Sequence, residues 1–317
     1  MFRRYQCPFA LREFATELLG APSKEAMSPL RVCFLALGFV SGALAASPVA
    51  DPVWDRAKSL YDQTLYDESL KVLAGPAKSA PVLALRGRNY FMKNDFKEAT
   101  AWLEQAVASD PDNSEYYLWL GRAYGRRAET STFLTAPGHA SKARHHFERA
   151  VQLNPKNTEA LGDLFEYYLQ APGFLGGGHD KAAALIDKMA ALDPAERHFA
   201  EARLAEEKKD WGHAEAQLRR AAELAPNQIG RLIDLAKFFA KRGQPRESEA
   251  AFARAAQINP ESPKLLIERA QTYVDQGQKL PEARRLLERY LKAKLTPEDR
   301  PREEARKLLE KVAAAKG

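Results

Sequence analysis

Apolar residues recur at three- and four-residue spacings through most of the chain, the mark of helices that bury one face. One arrangement repeats. In ARHHFERAVQLNP, Ala143 is followed by Phe147 four residues on, Ala150 three further, and Pro155 five beyond. AWLEQAVASDP, AALIDKMAALDP, AEAQLRRAAELAP and SEAAFARAAQINP close in the same way, the last with serine for the first alanine. The closing prolines are Pro111, Pro155, Pro194, Pro226 and Pro260, so two intervals of 44 and 39 residues precede intervals of 32 and 34. A period of about 34 residues is that of an array of helix–turn–helix units.

The first half of each unit agrees with the second. LGRAY at Leu120–Tyr124 offers a large residue, a small one, then an aromatic three positions later. Gly87 with Tyr90, Ala236 with Phe239 and Ala270 with Tyr273 repeat the spacing on one helix face. These residues resemble the tetratricopeptide repeat (TPR) family. The resemblance implies an all-α, right-handed solenoid of antiparallel helix pairs. In it the small residue lets paired helices approach, the aromatic fills the gap, and the proline opens the next unit. It also implies a concave groove lined by the first helix of each unit. YYLQAPGFLGGG is similar to segments of poorly characterised bacterial TPR proteins, a likeness that carries no activity.

The array is expected over residues 49–297 as about seven repeats, with a worn first unit and a charged capping helix over 302–315. Two units exceed the period between the aromatic of their first helix and the alanine of their second. Enlarged loops are therefore expected at 125–142 and 170–181. Their tips match in order: Phe133-Leu134 with Phe174-Leu175, and Gly138-His139 with Gly178-His179. Apolar pairs in glycine- and proline-bearing segments either seal a gap between units or form an exposed binding patch.

Charge and cysteines narrow the picture. The formal net charge is +6, and no run of like charges marks a nucleic-acid partner. Both cysteines, Cys7 and Cys33, precede Ala46, so the array has no disulfide and no thiolate metal site. From Met27, Arg31 precedes an apolar stretch from Val32 to Val40, then small residues including Ala43-Leu44-Ala45. That is the form of a cleaved secretory signal over 27–45, with residues 1–26 an over-extended or disordered amino terminus. The expected location is periplasmic or secreted, with a membrane reached only through this segment if it stays uncleaved.

Candidate chemistry is sparse. Gly176-Gly177-Gly178 lacks the spacing of a phosphate loop and reads as a flexible connection, with Asp180 capping the helix after it. His139, His145, His146 and His179 could approach one another if the two loops stack, and are the candidate metal ligands. His145 and His146 diverge by about 100° on a helix, so no metal site and no cofactor is expected. There is no GxSxG, no HExxH and no cysteine nucleophile in the array, and no enzyme is expected. The repeat register places Arg88, Arg122, Arg126, Arg203, Lys237 and Lys241 on the groove face, with Glu166 among them. Guanidinium forks suit carboxylates, so an acidic protein or peptide is the expected partner unless the array's own carboxylates take up these cations. Phe133, Leu134, Phe174 and Leu175 are the second candidate surface. The reading is an exported, non-catalytic interaction scaffold. The alternatives are a homo-oligomeric structural component of the envelope or, more remotely, a metal-binding accessory protein or envelope enzyme.

Overall fold

The computed structural model describes residues 52–75 and 79–315; the expected leader and the segment before it lie outside the described residues. Among the described residues there are fifteen α-helices and no strand. The first seven are α1 (Pro52–Asp62), α2 (Tyr66–Leu73), α3 (Ala80–Met92), α4 (Phe96–Ser109), α5 (Ser114–Thr130), α6 (Ala136–Leu153) and α7 (Thr158–Gln170). They are followed by α8 (His179–Ala190), α9 (Pro194–Glu207), α10 (Trp211–Leu224), α11 (Ile229–Lys241), α12 (Pro245–Ile258), α13 (Pro263–Asp275), α14 (Leu280–Lys292) and α15 (Arg302–Ala314). Each odd helix packs on the even helix after it, and each even helix on the next odd one. Odd helices of successive pairs also touch, as α1 with α3 and α11 with α13, while no comparable contact joins successive even helices among the described residues. The odd helices therefore line the inner side of the curve, and α15 covers α13 and α14 at the end.

Close approach within a pair depends on the small residue. A Cβ on Gly121 would lie 2.6 Å from the Phe147 ring, and one on Gly87 would lie 2.5 Å from Leu103 Cγ. Both distances are below contact, so α5 meets α6, and α3 meets α4, at separations only glycine permits. Leu120, Tyr124 and Phe147 are buried around this contact. The aromatic of the next unit differs from expectation. Tyr168 occupies the repeat position but is only half-buried, its hydroxyl donating to Glu148 Oε1 at 2.8 Å. Its neighbour Tyr167 is the fully buried ring, and Phe165, also buried, stands in the place of the small residue.

Polar staples join successive pairs. The Asn157 side chain caps α7, its Oδ1 accepting from the Ala160 N–H at 3.0 Å. Its Nδ2 donates to Ser114 Oγ on α5 at 3.0 Å, and Ser114 Oγ donates to the Ala150 carbonyl at 3.0 Å. One cap thereby satisfies buried groups of two units. The closing prolines mostly lie in the turns rather than opening the next helix: Pro111, Pro155, Pro226 and Pro260 each stand two residues beyond a helix end, and only Pro194 begins a helix.

The two enlargements take different forms. Most of 125–142 is helix rather than loop, since α5 continues to Thr130 and α6 starts at Ala136. Gly125–Thr130 is largely composed of good helix formers, and Pro137 sits in the first turn of α6, where its missing N–H costs nothing. Only residues 131–135 form the turn. In 170–181, α7 stops at Ala171 because the following Pro172 holds that residue extended, at φ −71° and ψ 141°. A 3-10 turn, Gly173–Leu175, follows. Gly178, not Asp180, is the residue that caps α8.

Candidate functional site

The groove cations divide into those already paired and those not. Arg122 is 6% exposed. Its Nε donates to Asp163 Oδ2 at 2.5 Å and its Nη2 to Glu159 Oε2 at 2.9 Å, both on α7. Arg203 on α9 reaches back to α7 with a fork, Nε and Nη2 each 3.2 Å from a Glu166 oxygen, and its Nη1 donates to Glu206 at 3.1 Å. Lys237 on α11 donates to Glu268 on α13 at 2.5 Å. These pairs form a ladder of opposite charges between first helices, each partner about one period away in sequence. Arg231 adds a further rung to Glu196.

Burial sets the electrostatics of the ladder. It disfavours the Arg122 and Arg203 charges, but Asp163 with Glu159, and Glu166 with Glu206, outweigh it and raise both guanidinium pKa values. Asp163 is raised to about 6: burial is the largest cause, Glu159 and Glu166 add to it, and Arg122 offsets part of the rise. Burial also pushes Glu268 up, yet Lys237 and Arg300 bring it below the usual carboxylate range. Arg122, Arg203 and Lys237 are thus each engaged by carboxylates of the array itself, the alternative that the sequence leaves open.

Arg88 is different. It is half-buried, and no carboxylate pairs with it among the described residues. Its guanidinium lies 4.4 Å over the Trp119 ring and 5.4 Å from Tyr61. Arg122 approaches the same Trp119 ring at 5.1 Å, so the indole is flanked by two cations. Arg126 pairs with Glu129 of its own helix at 2.5 Å and lies 5.1 Å from the Phe96 ring, with about a third of its side chain exposed. Lys241 is exposed and makes no ion pair among the described residues. The structure thus brings Arg88 and Arg126 to the aromatic early stretch of the groove and leaves Lys241 apart, near the end of α11.

The loop residues also divide. Phe133, Leu134 and Phe174 are 63%, 76% and 63% exposed, whereas Leu175 is 7% exposed and belongs to the core with Ala140 and Ala143. Leu175 is therefore withdrawn from the exposed patch. The Tyr167 hydroxyl donates to the Leu175 carbonyl at 2.8 Å, and the Gly178 N–H to the Tyr168 carbonyl at 2.8 Å. His146 and His139 face Tyr124 instead of a common ion: His146 stacks on it at 5.5 Å and His139 lies 5.8 Å away. No group of three or more metal-binding side chains converges among the described residues.

This geometry is that of an all-helical repeat solenoid with a concave face. A family model described as TPR repeat matches residues 87–127, and another described as Tetratricopeptide repeat matches residues 239–299. The chain is a tetratricopeptide-repeat protein. It shares its fold with a tetratricopeptide repeat protein from Parabacteroides merdae, at 14% identity and TM-score 0.53, covering 82% of this chain and 97% of that one. Yeast Tom70 aligns at 18% identity and TM-score 0.56, covering 83% of this chain and 53% of that one. In sequence, the cytochrome c-type biogenesis protein CycH of Pseudomonas aeruginosa is 36% identical over 105 residues, 32% of this chain and 22% of that protein. The match spans about a fifth of the length of that curated relative. Among the described residues no helix is long and apolar enough to cross a membrane.

Proposed function

We propose that the protein is an exported, non-catalytic scaffold that holds an acidic segment of a partner protein in the early part of its groove. Repeats of this family make protein–protein interaction the coarse function. The observation that carries the finer reading is the contrast along the groove. Arg122, Arg203 and Lys237 have carboxylates of their own, and Arg88 has none among the described residues. A guanidinium between Trp119 and Tyr61, with Arg126 beyond it, offers fork donors beside an aromatic floor. A glutamate- or aspartate-bearing peptide supplies the missing acceptor. Export rests on residues 27–45. The likeness to a protein of cytochrome c biogenesis favours the envelope, and involvement in that process is a second reading.

Fluorescence anisotropy with short acidic peptides tests the groove. Binding is expected to weaken with salt and to be lost in Arg88→Glu, while Lys241→Glu leaves it nearly unchanged. Equal affinity of parent and Arg88→Glu overturns the site. For the second reading, loss of haem-staining cytochromes c in a deletion strain is the supporting result.

A further inference from the structure

The ladder between first helices follows a rule of position. The cation stands one residue after the place of the small residue on its helix, and the carboxylate two residues before that place on the next. Arg122 follows Gly121, and Asp163 stands two before Phe165. Lys237 follows Ala236, and Glu268 stands two before Ala270. On α9 the carboxylate's place is held by Ala200, but there α7 offers Glu166 instead of a cation, and Glu166 takes Arg203. On the worn first unit Lys58 has Leu85 at that place, and pairs with Asp62 of its own helix at 2.5 Å. Arg88, one after Gly87, has neither remedy: the residue two before Gly121 is Trp119. The second carboxylate of Arg122 has no working counterpart either. Glu159 stands six residues before Phe165, and Glu115 six before Gly121, yet Glu115 Oε1 accepts from Asn157 Nδ2 at 3.1 Å.

The indole does what a carboxylate would not. Trp119 is 5% exposed and meets the Phe91 ring edge-on, centroids 5.5 Å apart, which fixes its plane. The Arg88 guanidinium lies 4.4 Å over it, with the Tyr61 ring 5.4 Å away. A ring face attracts the charge and leaves the in-plane N–H groups unspent. A carboxylate at the same place would take them, as Glu166 takes Nε and Nη2 of Arg203, each at 3.2 Å. Arg88 Nε indeed has no hydrogen-bond partner among the described residues. Arg122 approaches the same indole at 5.1 Å, but Asp163 and Glu159 already engage it.

We propose that Trp119 is the positioning residue of the groove. It withholds from Arg88 the carboxylate that closes the later rungs. It also holds the guanidinium by a face, so that the edge can receive a carboxylate of the bound acidic segment. A partner then completes the first rung from outside the chain. This role rests on the acidic-segment reading of the groove, and makes one tryptophan the reason that Arg88, among the ladder cations, is left for a partner.

Trp119 variants of the full chain, read by anisotropy of a labelled glutamate-rich peptide and by thermal melts, test the role. Trp119→Asp places a carboxylate where Asp163 stands on α7, and should weaken peptide binding about tenfold or more. Trp119→Phe keeps a ring under Arg88 and should stay within about threefold of the parent. The melts include Arg88→Met, which should lower the melting temperature of Trp119→Asp more than that of the parent, because only the variant gives Arg88 a carboxylate of its own. Where Trp119→Asp does not fold, Glu159→Gln/Asp163→Asn decides: it releases Arg122 beside the same indole and should tighten binding about threefold or more. Unchanged affinity in Trp119→Asp, or in Glu159→Gln/Asp163→Asn, overturns the role. So does a loss in Trp119→Phe equal to that in Trp119→Asp, or equal sensitivity of parent and Trp119→Asp to Arg88→Met. A parent that binds no acidic peptide overturns the groove reading instead, and the melts still tell whether residue 119 sets the partner of Arg88.

Discussion

Arg122 on α5 and Asp163 on α7 meet across 2.5 Å, a direct cross-link between first helices of successive pairs. Glu159 shares the same guanidinium at 2.9 Å. Arg122→Ala leaves two carboxylates facing each other in a buried place. The expected cost is about 3–5 kcal/mol in urea denaturation. Reversing Arg122 and Arg126 to glutamate together should collapse the helical signal, so that pair of changes reports on folding and not on ligand binding.

The repeat contact supplies a second test. Leu120→Ala should cost about 2–5 kcal/mol and Tyr124→Ala about 3–5 kcal/mol, because both side chains are buried against α6. Gly121→Ala adds a methyl group where Phe147 already stands, and should cost about 1–3 kcal/mol. Melting curves coincident with the parent would mean that the register of these two helices is different.

The loop residues should separate by burial. Leu175→Ala should lose about 2–5 kcal/mol, as a core residue does. Phe133→Ser and Phe174→Ser should each stay within about 0.5 kcal/mol of the parent, as exposed positions do. A large drop for Phe174→Ser in a thermal melt would show that it seals the units.

Acid should weaken the fold partly through His146. Burial against Tyr124, followed by the charges of His145 and Lys142, lowers its pKa to about 4. Below about pH 6.5 the unfolded chain takes a proton there that the folded chain refuses, so stability falls as pH falls from about 6.5 to about 4. The contribution is at most about 3 kcal/mol. Replacing His146 with glutamine should flatten the measured stability profile in that window. An unchanged slope would place the acid sensitivity elsewhere.

The repeat was legible because its determinants are local. Gly121, Tyr124, Ala143 and Phe147 lie on adjoining helices and carry their spacing openly. The fate of Arg122 was not, because its carboxylates stand on the next unit, and only the rotation between units decides which side chains meet. The same holds for Tyr167 and Tyr168, adjacent in sequence, of which the packing of α7 buries the first and leaves the second half-buried. By the period alone, residues 125–130 are surplus and belong to a loop. Helix propensity instead extended α5 through them. Phe174 and Leu175 had equal claims to exposure until the turn at Pro172 sent one outward and the other in.

The apolar core falls into three clusters in series, and they meet inside helices. Ala200 belongs to the first and Phe199 to the second; Leu265 belongs to the second and Leu266 to the third. Each junction is thus a pair of neighbouring residues whose side chains diverge by about 100° on one helix. α9 and α13 therefore each serve two cores at once, so a substitution that loosens either helix should weaken the packing on both of its sides.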